Sequence, residues 1–176
     1  MQGLSARDKK ARQTHSRKQR MVAINRDLKK IKQIIIHCSA TDLPAYDNIE
    51  SIRKFHTDKG WADIGYHYFI DKKGHTFEGR PMSMVGAHCV GQNMTSIGIC
   101  VSGNKIFYEE QFAALWFLVS NLIENFKIKR KDVLPHRFYN VNKTCPNFDL
   151  AKIWKYDEDT QAWYNAKKKF IDLKGD

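Results

Sequence analysis

An α/β or α+β domain is predicted, because strand-like and helix-like periods alternate along the chain. Two stretches carry that reading most clearly. Gln33 to His37 is a continuous apolar run rich in β-branched residues, the pattern of a strand buried on both faces. Glu109 and Glu110 open a helix whose apolar stripe is Phe112, Leu115, Trp116, Val119, Leu122, Ile123 and Phe126. The other elements follow in order. Residues 1 to about 18 lack apolar periodicity and are expected to be disordered. Met21, Ile24, Leu28 and Ile31 recur at helical spacing and predict a short helix leading into the domain. Asn48 suits the N-cap of a helix presenting Ile49, Ile52 and Phe55 and closed by Gly60. Ile64 to Asp71 and His75 to Glu78 read as a hairpin around Lys72, Lys73 and Gly74. Ile97 to Val101 is a further apolar strand, and Tyr156 to Ile171 a terminal helix. There is no internal repeat.

A chain of 176 residues with 42% hydrophobic content fits one soluble domain with a sizeable core. No apolar run approaches the roughly 20 residues of a membrane span. The N-terminal region is basic, but its longest apolar stretch is Met21 to Ile24, too short for a secretory h-region. Synthesis without a signal peptide is therefore expected. The net charge of +11 is uneven: residues 1–32 hold 11 Lys or Arg against Asp8 and Asp27, and the remainder is nearly balanced. A basic extension over residues 1–30, partly helical or disordered, is thus set apart from a domain over 31–176. Such an arm suits anionic polymers, or is simply a solvated tail. Cys38, Cys89, Cys100 and Cys145 are scattered and are expected as reduced thiols, with Cys89 and Cys100 buried.

The chemistry-bearing residues are His37, at the end of its strand, and the pair His136 and Cys145. Two imidazoles and one thiolate are good zinc ligands, and three protein ligands leave one tetrahedral position open for a hydrolytic water. Seven His and four Cys allow many accidental trios, so the surroundings decide. IIIHCSAT (34–41), GWADIGYHYFID (60–71), EGRP (78–81), GAHCVGQNMTSIGI (86–99) and HRFYNVNKTCPNFD (136–149) occur in that order. Together they resemble the zinc-dependent N-acetylmuramoyl-L-alanine amidases of the phage lysozyme and peptidoglycan-recognition-protein family. The resemblance spans roughly residues 31 to 155 and is strongest toward the small phage lysozyme-amidases, some of which also inhibit the phage RNA polymerase.

The resemblance implies a central mixed β-sheet flanked by helices, with Zn2+ at the floor of a surface groove on His37, His136 and Cys145. Members that only bind peptidoglycan typically lack the cysteine, so Cys145 argues for catalysis. Tyr66 and Lys143 match the active-site tyrosine and lysine, which would stabilise the oxyanion formed when water adds to the amide. His88 and Asn93 match groove positions, and Glu78 and Arg80 are further substrate-binding candidates. His67 alternates with Tyr66 and reads as structural, and Trp61 as core. The implied activity is hydrolysis of the bond joining N-acetylmuramic acid to L-alanine in peptidoglycan, by a monomer that reaches the cell wall after release from the host cytoplasm. The rival readings are a non-enzymatic regulator, such as a phage RNA polymerase inhibitor, and a zinc peptidase of the stem peptide.

Overall fold

The computed structural model describes residues 24–157. Its strands are β1 (Gln33–Cys38), β2 (Tyr68–Ile70), β3 (Thr76–Glu78), β4 (Ser96–Val101) and β5 (Val133–Pro135). Its helices are α1 (Ile49–Asp58), α2 (Glu109–Phe126) and α3 (Ala151–Trp154). The five strands form one sheet in the order β3-β2-β4-β1-β5. β1, β2, β4 and β5 run in one direction, and only β3 is antiparallel, to β2. The predicted mixed sheet with flanking helices is therefore present.

Side-chain alternation divides the two faces. Ile34 and Ile36 of β1, with Ile97, Ile99 and Val101 of β4, pack against Phe112, Leu115, Trp116 and Val119 of α2. The opposite face carries Phe69 and Cys100, covered by Ile49 and Ile52 of α1. Because β1 and β4 are covered on both faces, their sequences are continuously apolar rather than alternating. His37 pairs in register with Cys100, so it belongs to the α1 face. α1 begins as expected: the Asn48 side chain accepts a hydrogen bond from Ser51 N–H at 2.8 Å, a cap worth about 1 kcal/mol.

Three expectations about the elements need correction, and one strand has no counterpart among them. The helix predicted from Met21 to Ile31 is absent over its described part. Asn25 bridges to Met84, Leu28–Lys30 form one 3-10 turn, and Ile24 stays exposed. Arg26 explains the extended path: its guanidinium is buried and donates to the carbonyls of Met82 (2.8 Å) and Asn93 (3.3 Å). Phe55 is exposed on α1, and His56 takes the buried position one residue on. The first hairpin strand starts at Tyr68 rather than Ile64. Residues 64–67 spend their hydrogen bonds irregularly, with Gly65 N–H donating to His56 Nδ1 at 3.1 Å. β5 went unpredicted because it is three residues long and ends in proline. The helix predicted over Tyr156–Ile171 lies, beyond Asp157, outside the described residues.

Candidate active site

β1 delivers the first donor. His37 sits at the penultimate position of the strand, 1% exposed, with its ring rigidly framed by the sheet. The second and third come from the segment after β5. His136 opens a 3-10 turn directly behind Pro135, and Cys145 precedes Pro146. The two ends are tied together where Arg137 N–H donates to Cys145 O at 2.9 Å. Cys145 is also tied to β1, because Cys38 N–H donates to Cys145 Sγ at 3.2 Å. As a result one donor atom each from His37, His136 and Cys145 lies within 4.8 Å of the others.

The state of these donors suits a metal. Burial, and then His136, hold the His37 imidazole well below its ordinary pKa. Burial, and then Lys143, lower that of His136. Both rings are therefore neutral near pH 7, the form that ligates. Hydrogen bonding to the Cys38 side chain, and then burial, push the Cys145 thiol up. A thiolate here needs a bound cation, and a divalent ion supplies that charge.

Two clefts meet over the cluster. One, of about 390 Å³, is walled by Trp61, Val90, Asn93, Tyr139 and Asn140. The other, of about 330 Å³, is walled by Ser39, Tyr66, Asn104, Asn142 and Cys145. Both include His88, His136 and Lys143, so the clefts read as one groove crossing the donors. The Tyr66 ring lies 5.1 Å from that of His37. Burial, and then Cys100, raise its phenol well above the ordinary value, so it stays a hydrogen-bond donor. Lys143 is exposed on the groove wall.

The substrate-binding candidates divide. Asn93 lines the groove while its Oδ1 accepts from the N–H groups of His88 and Cys89, both at 2.8 Å, which shapes the loop. Arg80 does not reach the groove. It is 5% exposed, and its guanidinium donates to the carbonyls of Ile64, Val85 and Asp63 at 2.9, 2.7 and 3.1 Å. Glu78 lies on β3 opposite Tyr68 and lines neither cleft. His88 touches both clefts, but it is 9% exposed and both ring nitrogens contact protein: Nδ1 faces His37 Nε2 at 3.0 Å and Nε2 faces Ser96 Oγ at 3.3 Å. His67 is structural as expected, with Nδ1 accepting from Gly98 N–H at 3.0 Å and Nε2 against Met84 O at 3.2 Å. Trp61, expected in the core, instead lines the groove and stacks on His56 with centroids 4.4 Å apart. A tryptophan beside Gly60 carried no sequence signal that separates a groove wall from a core.

Two imidazoles and a thiol at the base of an open groove, with a phenol and a lysine beside them, suit a hydrolase site better than a sealed structural one. The chain belongs to the N-acetylmuramoyl-L-alanine amidase family, whose model matches residues 27–148. It is similar to the endolysin of Klebsiella phage KP32, with 36% identity over 132 residues, 72% of this chain and 87% of that protein. The endolysin of Escherichia phage T7 is 33% identical over 133 residues, 71% of this chain and 86% of that protein. Among solved structures, the N-acetylmuramoyl-L-alanine amidase LysC from Clostridium intestinale superposes with a TM-score of 0.65 at 27% identity, covering 75% of this chain and 89% of that one. The chain is thus an amidase, and its fold is that of the family.

Proposed function

We propose that this amidase cuts the amide joining the lactyl group of N-acetylmuramic acid to L-alanine in peptidoglycan, and that His37, His136 and Cys145 hold a zinc ion for the purpose. The observation that carries the reading is the convergence of these three donors within 4.8 Å at the junction of two clefts. Zinc bound there supplies Lewis acidity and a water that ionises near neutral pH.

The chain's own residues do the rest. Two clefts share the residues around His136, which suits a substrate with a glycan on one part of the groove and a peptide on another. Tyr66 keeps its proton and donates a hydrogen bond to the carbonyl oxygen as that atom gains negative charge. The Lys143 ammonium adds electrostatic stabilisation of the same charge from the rim. Tyr66 is held beside His37 before the reaction begins, so little reorganisation of that donor accompanies it. Asn93 holds the loop that forms one groove wall, and Trp61 offers an aromatic face for a sugar or an apolar peptide side chain.

The phage endolysins to which the chain is similar motivate the cell wall as the place of action. Mass spectrometry of a peptidoglycan digest tests the reading. Free stem peptides that begin with L-alanine are expected. Fragments cut inside the stem would favour a peptidase instead.

A further inference from the structure

His88 is a buried ring whose position the reaction leaves unexplained. It sits on the α1 face of the sheet, directly over β4. A Cβ on Gly98 would lie 2.4 Å from its Cγ and Cδ2, and a Cβ on Gly86 would lie 2.5 Å from its Cδ2. The sequence thus leaves two glycines where the ring must fit. Its ring meets that of His37 edge-on, with centroids 5.1 Å apart.

The hydrogen bonds behind it run in one direction only. Gln92 O is a carbonyl and can only accept, so the single hydroxyl proton of Ser96 goes to it, at 2.7 Å. The Ser96 oxygen then has only lone pairs to offer His88 Nε2 at 3.3 Å, so His88 donates from that atom. Among the described residues, the ring nitrogens of His88 meet only Ser96 Oγ and His37 Nε2, and neither partner is a carboxylate that would hold a second ring proton. His88 Nδ1 therefore accepts, and His37 Nε2, 3.0 Å away, must donate. Neutral imidazole carries one N–H. With that proton fixed on Nε2, His37 Nδ1 is left as a bare lone pair.

We infer that His88 is a positioning residue: the chain Gln92–Ser96–His88 locks His37 in one tautomer and one ring orientation, so that Nδ1 is the atom presented to the metal. This rests on the zinc reading above and assigns His88 a task other than substrate contact. Groups that orient a ligating imidazole in this way typically change metal affinity 10–100-fold when lost.

Two measurements on the full chain separate the inference from the reading beneath it. Nitrogen-resolved NMR of the imidazoles in the zinc-free protein is expected to show His37 protonated on Nε2; protonation on Nδ1 would overturn the inference. Zinc affinity by chelator competition is expected to fall about 10–100-fold in His88→Leu. It is expected to return to within a few-fold of wild type in His88→Asn, whose Oδ1 can accept where Nδ1 did. Equal affinity in wild type and His88→Leu would overturn the inference, and so would equal losses in Leu and Asn variants that share one unfolding midpoint. Absence of zinc binding by the wild type would overturn the metal reading, with the tautomer still read from the same zinc-free sample. A Leu variant that fails to fold leaves the NMR assignment and the Asn variant to decide.

Discussion

Tyr66 and Lys143 meet the donor cluster differently. The phenol is partly buried beside His37 and cannot move far, whereas the ammonium is exposed and reaches in from a loop. Removing either donor leaves the ligands intact. Tyr66→Phe and Lys143→Ala are each expected to keep zinc and lose roughly 10²-fold in muropeptide turnover, the scale of one oxyanion donor. A wild-type rate in either zinc-loaded variant would remove that residue from the mechanism. Arg80 belongs to a different account. Its three carbonyl partners make it a buried strut for the segment before β2. Arg80→Met is expected to lower unfolding stability by about 2 kcal/mol or more, the scale of charged hydrogen bonds left unmade. Denaturant melts check this; an unchanged midpoint with a raised KM would instead return Arg80 to substrate binding. At this scale the motifs made the grouping of His37, His136 and Cys145 legible, because donor type and order survive in the sequence. The tasks of Arg80 and His88 were not legible. They depend on which carbonyl or imidazole, tens of residues away, comes to face them.

The elements were read best where periodicity is long. α2 presents the predicted stripe, and β1 and β4 appear within a residue of their expected bounds. The reading failed for short or irregular pieces. Three-residue β5 has too few residues to show a period, and residues 64–67 look like strand but divide their bonds among α1, β4 and neighbouring loops. Phe55 looked like a core position because α1 is short. The face was set instead by His56, whose ring stacks on Trp61. β4 carries the sharpest element-level test. Gly98→Ala would place a Cβ 2.4 Å from the His88 ring, so the ring must move. A loss of about 1–3 kcal/mol is expected for such overpacking, with weaker zinc retention. Stability and zinc retention equal to wild type would mean that His88 does not lie against this strand.

The whole molecule carries several imidazoles that are buried and neutral. Burial, then Lys59, lower His56 to about 4; burial, then Arg26, lower His67 to about 3. In the unfolded chain both would titrate near 6.5. Between those values the unfolded state binds more protons, so acid favours unfolding. Stability is expected to be level above about pH 6.5 and to fall by up to about 1.4 kcal/mol per pH unit for each ring as pH drops toward 4. Melts of the zinc-free protein check this; no loss between pH 6.5 and 5 would contradict the buried, neutral state. Among the described residues no helix is long and apolar enough to cross a membrane. The proposed binding of the basic arm to anionic envelope polymers falls on residues outside the described part. Deleting residues 1–20 is expected to spare muropeptide turnover and weaken binding to sacculi, more at low salt than at high salt, because screening shortens such attraction to about 8 Å at physiological ionic strength. Unchanged sacculus binding at every salt concentration would make the arm a passive tail or leave it to another partner, such as a phage RNA polymerase. The central claim is the metal on His37, His136 and Cys145, and elemental analysis of active protein beside Cys145→Ser tests it most directly. About one zinc per chain is expected in the wild type, and loss of that zinc together with activity in the variant, since a hydroxyl is a poor ligand beside a thiolate. Fully active wild-type protein without zinc, or a Cys145→Ser variant that retains zinc as tightly as wild type, would contradict it.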